Sequence, residues 1–173
     1  MAMTPSLRKL ALTAHVAFSV GWLGAVAGVL ALAVTGVTSQ DAQTVRAAYL
    51  VMEPAAWFVL VPLAVASLVT GVIQGLGTTW GLFGHYWIVF KLLITVVATV
   101  VLLLYMQTFS HMAEVAADPG GPLGAVRNPS PLVHASAALL LLVAATVLAL
   151  YKPRGITGYG RRKQRREPRG SSP

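Results

Sequence analysis

Residues 10–34 read LALTAHVAFSVGWLGAVAGVLALAV, a run with no Asp, Glu, Lys or Arg. A helix needs about 20 apolar residues to cross the hydrocarbon of a bilayer, and this run is long enough. Three more runs of similar length, 50–73, 86–109 and 132–151, follow it and are interrupted only by Glu53 and Lys91. Together they predict an all-α chain, an integral membrane four-helix antiparallel bundle occupying residues 1–154. The remaining residues, 155–173, read as a disordered basic tail.

Composition points the same way. Of 173 residues 56% are hydrophobic and only 10% charged, too few to furnish the polar shell of a soluble domain. The net charge of +8 comes largely from the tail, since eight of the 13 Lys and Arg lie between Lys152 and Arg169. The absence of Cys excludes disulfides, thiolate metal sites and thiol nucleophiles.

Short cytoplasmic flanks retain Lys and Arg. Arg8 and Lys9 precede the first run, and Arg161-Arg162-Lys163-Gln164-Arg165-Arg166 follows the last. Both termini are therefore expected in the cytoplasm, as an even number of spans requires. The loops assigned to the outside carry Asp41, Glu53, Glu114 and Asp118 against Arg46 and Arg127. A cleaved signal peptide is not expected at the N-terminus, because the first run exceeds an h-region of about 7–15 residues and its removal would leave an odd number of spans.

Caps mark the helix starts. Thr4-Pro5 and Ser130-Pro131 each place a hydroxyl before a proline suited to the first helical turn, and Ser39 with Asp41 opens the second helix. Pro54 and Pro62 fall inside that helix, and each removes a backbone hydrogen bond. Residues 75–84, with Trp80, form a short turn on the inner side, while 116–129, rich in Gly and Pro, reads as a flexible outer connector. Gly24-x-x-x-Gly28 and Gly71-x-x-x-Gly75 are spaced for close helix packing.

The four histidines sit near the ends of the runs. Given the expected topology they sort into an inner pair, His15 and His85, with Lys91 at the same depth, and an outer pair, His111 and His134. Interfacial histidines are ordinarily solvated and an interfacial Lys snorkels to the headgroups, but neutral imidazole also binds haem iron, copper or zinc. Spacings of four and three residues place His15, Ser19 and Trp22 on one helical face, and Lys91 shares a face with Thr95, Ala98, Leu102 and Tyr105. No acid lies near any histidine except Glu114, close to His111, so no hydrolase constellation is visible.

His15-x6-Trp22-x-Gly24 and Trp87-x3-Lys91-Leu92-Leu93 resemble the motifs of HemJ-type membrane protoporphyrinogen oxidases and of the copper-resistance D membrane domain. Arg46, Met52-Glu53-Pro54 and Ser67-Leu68-Val69-Thr70-Gly71 are similar to the second helix of that superfamily, so the resemblance spans roughly residues 10–110. The chain also looks like a bacterial family of small integral membrane proteins without an assigned activity. The resemblance implies a bacterial cytoplasmic membrane protein able to hold haem b between helices one and three, with His15 as axial ligand, Trp22 in the same motif and Lys91 lining the site; His85 or Lys91, at the depth of His15, is the candidate second partner. The chain departs from HemJ-type proteins at Ala33-Val34-Thr35-Gly36, where they carry an Arg-containing segment ending in His. Cofactor binding is therefore implied more firmly than that particular reaction.

Three functional classes stand side by side at this point: a haem b redox protein, a copper-handling or transport module using Ser19, Thr95, Thr99, Glu53 and Met52, and a structural subunit of a larger membrane complex or homo-oligomer. Besides lipid, the expected partner of the tail is the anionic headgroup, at about 1 kcal/mol per base. Nucleic acid is not expected, because the tail lacks interleaved aromatics.

Overall fold

The structure is a computed structural model, which describes residues 3–77, 81–153 and 155–166. Its elements are α1 (Pro5–Thr38), α2 (Ala42–Ala55), a π-helical turn (Ala56–Leu60), α3 (Val61–Gly77), α4 (Tyr86–Ala117), α5 (Leu123–Val126), α6 (Ser130–Tyr151) and α7 (Gly158–Arg166). Among the described residues there is no strand, only an isolated bridge between His85 and Ile156. Four helical stretches, Pro5–Thr38, Ala42–Gly77, Tyr86–Ala117 and Leu123–Tyr151, are long and apolar enough to cross a membrane.

Contacts between distant residues give the directions of the rods. His15, near the start of α1, touches Ser67 and Thr70 near the end of α3, while Gly36, near the end of α1, meets the ring of Tyr49 in α2. These two rods are antiparallel. Lys91, near the start of α4, reaches His15, and Tyr105, later in α4, reaches Ser130 at the start of α6. The four rods therefore run alternately up and down.

Local chemistry accounts for the helix boundaries. Thr4 accepts the Leu7 amide through Oγ1 and Pro5 starts α1, as the cap predicts. At α2, Asp41 accepts the Thr44 amide at 2.9 Å and the Thr44 hydroxyl at 2.6 Å. Those bonds, the hydroxyl's first, hold its carboxyl below the ordinary Asp range. Pro62 has no amide to donate and its ring crowds the carbonyl of Phe58 four residues back, and there the ladder widens into the π turn, where Val61 N–H reaches back to Ala56 O.

Three expectations need correction. Ser130 does not cap α6: its hydroxyl accepts from Tyr105, and its own amide is taken by Asn128 Oδ1 at 2.9 Å. The outer connector is tied down, because Arg46 donates to Ala116 O, Asp118 O and Gly121 O and Tyr49 exchanges hydrogen bonds with Asn128. Its Gly and Pro content reports turns, and the sequence did not reveal the guanidinium that ties their carbonyls.

The third concerns the basic tail, which is not structureless over its described part. Tyr86 N–H donates to Gly155 O, Thr157 N–H donates to Gly84 O, and Thr157 Oγ1 accepts the Gly160 amide at the start of α7. Trp80 and residues 167–173 lie outside the described residues.

The glycines divide. A Cβ on Gly36 would lie 2.9 Å from the Tyr49 ring and one on Gly71 would lie 3.1 Å from His15 Cε1, whereas Cβ atoms on Gly24 and Gly28 would meet nothing within 4 Å. Gly24-x-x-x-Gly28, expected to pack the bundle, makes no close approach among the described residues.

Candidate functional site: the His15–Lys91 cavity

His15 is 6% exposed. Its Nδ1 lies 3.1 Å from Ser67 O and 3.1 Å from Thr70 Oγ1. A carbonyl only accepts, so Nδ1 carries the proton and donates, which leaves the Nε2 lone pair as the other functional end of the ring. Thr70 donates its own hydroxyl to Ala66 O at 2.6 Å and is free to accept from the imidazole. Lys91 Nζ lies 3.0 Å from Nε2 and donates to it. Helix α3 thus orients the ring through Ser67 and Thr70, Gly71 gives it room, and α4 brings the ammonium.

These groups line a cavity of about 590 Å³ at the end of the bundle holding the start of α1. Its polar wall includes His15, Ser67, Gln74, Lys91 and Thr95, and Arg8 and Lys152 stand among its outer residues. Among the described residues no acidic side chain lines it. Gln74 Nε2 is buried with no hydrogen-bond partner, an unmet donor that a ligand acceptor would satisfy. Val16, Leu68, Ile88 and Leu92 give the remaining surface an apolar character. The arrangement suits a ligand with an apolar body, acidic groups and an affinity for a neutral imidazole.

Of the residues singled out from the sequence, His15 and Lys91 come together, with Ser67, Trp87 and Thr95 on the same wall, while Trp22 and the other three histidines do not join them. His85 caps α4, with its backbone bridged to Ile156, and does not line the cavity. Trp22 is 2% exposed in the core and lines a second, smaller cavity instead. His111 lies exposed inside α4. His134 bonds Ser130 O through Nδ1 at 2.9 Å and stacks on Tyr105 at 4.2 Å. Among the described residues no three His, Cys, Asp or Glu side chains are grouped as a multi-ligand metal site needs.

Sequence reasoning missed Arg8, Gln74 and Lys152 as cavity residues. Arg8 and Lys152 read as topology signals, and a lone Gln near a glycine-rich turn carries no periodicity that would mark it. The Ser67 carbonyl is main chain and has no signature in sequence at all. No family model, curated protein or solved structure matches this chain.

Proposed function

We propose that this chain is a multi-pass protein of the bacterial cytoplasmic membrane that holds haem b in the His15–Lys91 cavity and serves in electron transfer. The observation that carries the reading is the His15 imidazole: Nδ1 is committed to the Ser67 carbonyl, so Nε2 keeps the lone pair, which among the described residues only the mobile Lys91 ammonium meets, at 3.0 Å, on the wall of a cavity of about 590 Å³. A ring nitrogen anchored to a backbone carbonyl is the usual support of a ligating histidine, and the volume lies within the about 300–1,000 Å³ of small-molecule sites.

The donor set fits the group. His15 would hold the iron, Lys91, Arg8, Lys152 and the Gln74 amide would meet the propionate carboxylates, and the apolar wall would take the macrocycle. Lys91 engages the Nε2 lone pair in this structure; its flexible stem lets Nζ turn from Nε2 to a carboxylate, so one cation serves both arrangements. Bound haem supplies one-electron transfer. The protein supplies a fixed imidazole, cations that neutralise the propionates, and a wall that excludes water from one face.

Membrane insertion is supported by the four apolar stretches, and the orientation by the gathering of bases at one end. Arg8 and Lys152 flank the His15 cavity, and the residues leading into α7 pair with Gly84 and Tyr86 at the start of α4. Retention of Lys and Arg on the cytoplasmic side then puts both termini there. The copper-handling reading gains no comparable support, because Met52 is fully buried in the core and Thr95 and Thr99 return their hydroxyls to their own helix.

Absorption spectra of the detergent-purified protein, oxidised and reduced and with haem supplied, test the reading. A Soret band is expected in the wild type and its loss in His15→Ala, with helical circular dichroism unchanged. No Soret band in the haem-supplied wild type, or full retention of it in the variant, would overturn it.

A further inference from the structure

Between α1, α4 and α6 lies a second cavity of about 130 Å³ that shares no lining residue with the first. Its wall is apolar, built from residues such as Trp22, Val26, Leu102 and Ala138, and its polar members are Tyr105 and His134. The two rings stack with centroids 4.2 Å apart and an interplanar angle of 29°. Val97, Val101 and Leu141 also line it, and they are 45%, 44% and 40% exposed on the outer face of the bundle. The cavity is therefore reached from the apolar surface, the route a lipid-soluble molecule would take.

The hydrogen bonds define what chemistry it accepts. His134 Nδ1 lies 2.9 Å from Ser130 O; a carbonyl cannot donate, so Nδ1 carries the proton and Nε2 of the neutral ring is an acceptor. The Tyr105 hydroxyl is spent as a donor to Ser130 Oγ at 2.7 Å. The complementary ligand must bring a donor of its own on a body no larger than one ring: the cavity of about 130 Å³ is slightly smaller than the about 150 Å³ at which a dry cavity holds benzene, and its opening to the apolar surface leaves room for the ring's far edge. The stacked Tyr105 and His134 and the nearby Phe109, edge-on to Tyr105 at 5.0 Å, favour an aromatic body.

We infer that this cavity is a binding site for a phenolic ring, whose hydroxyl donates to His134 Nε2. The ring could be a free phenol or the head of a lipid quinol, and the shared chemistry is the phenolic hydroxyl. The site stands independently of haem binding at His15.

The test is fluorine NMR titration of the purified protein in detergent with 4-fluorophenol and, as the ring without a donor, 4-fluoroanisole. Wild type is expected to hold the phenol on the order of fivefold more tightly, the effect of one net hydrogen bond. His134→Ala should make the two probes equal, and Ala138→Phe, which fills the cavity, should remove both. Since His134 is at the surface, its replacement leaves the fold as a common background, checked by circular dichroism. Displacement of 4-fluorophenol by a reduced quinone with a decyl tail assigns the site to a quinol head; retention against that competitor assigns it to a tailless phenol. Equal binding of both probes to wild type, no saturable binding of either, or a phenol preference that survives His134→Ala overturns the inference.

Discussion

His15 and Lys91 form a pair in which a neutral base faces a cation, and among the described residues no carboxylate lines their cavity to complete an ordinary ion pair. An ammonium held this way has lost bulk water without gaining a counter-ion, a costly arrangement that an acidic ligand would relieve. Lys91→Met keeps the stem and removes the charge. On the proposed function it should leave folding intact and weaken haem retention by roughly tenfold, one charge-assisted contact of about 1.5 kcal/mol, as measured by haem transfer to an acceptor protein. Unchanged retention would show that the ammonium takes no part in holding the ligand. Gly71 makes the complementary point through space: Gly71→Ala puts a Cβ 3.1 Å from His15 Cε1, so the ring must give by a few tenths of an ångström against its bond to Ser67 O. The expected result is a shifted or broadened Soret band in a protein of near-normal stability.

The helices owe their joints to a few side chains that bind main chain. Tyr49 is fully buried, packs on Gly36, donates to Asn128 O at 2.9 Å and accepts the Asn128 amide at 2.9 Å. Tyr49→Phe leaves an amide and a carbonyl of Asn128 to find other partners and should cost about 1–3 kcal/mol, read as a lower midpoint of thermal unfolding in detergent. Gly36→Ala forces the same ring aside and should cost about 1–3 kcal/mol as overpacking. Gly24→Ala meets nothing and should be tolerated, so equal damage at both positions would refute the asymmetry.

The start of α2 has its own pH dependence. Because the Thr44 hydrogen bonds lower the Asp41 carboxyl, the cap stabilises α2 above the unfolded Asp value of about 4. That contribution is lost as pH falls through the lower, folded value. Hydrogen exchange at the Thr44 amide should accelerate relative to its intrinsic rate over that acid range, and Asp41→Asn should flatten the response.

Across the whole molecule charge is segregated. The basic residues gather at the His15 end, while Arg46 and Arg127 at the other end are consumed by carbonyls, including Ser39 O for Arg127. Surface attraction to anionic lipid is worth about 1 kcal/mol per base within a Debye length. A chain ending after Thr157 retains the Gly155 and Thr157 bonds to the start of α4 and should fold. It should also bind vesicles containing phosphatidylglycerol more weakly than the full chain at low salt, with the difference shrinking as salt rises. Removal of residues 155–157 as well should fray α4 from Tyr86, seen as faster exchange of its first amides.

The sequence alone determined the number of long helices, their apolar character, most of their caps and the candidacy of His15 and Lys91. Those are properties of local pattern: runs of about 20 apolar residues, hydroxyls before prolines, and ionisable groups set in apolar surroundings. Only the tertiary structure decided which partners those groups take. Lys91 rather than His85 stands beside His15, the Ser130 hydroxyl goes to Tyr105 instead of capping α6, and Arg46 ties a loop whose composition promised freedom. The reason is the same in each case. An apolar run specifies that a helix forms, but its rotation about its own axis and its neighbours are set by packing between rods, and the decisive acceptors are main-chain carbonyls, which every residue carries and no sequence distinguishes.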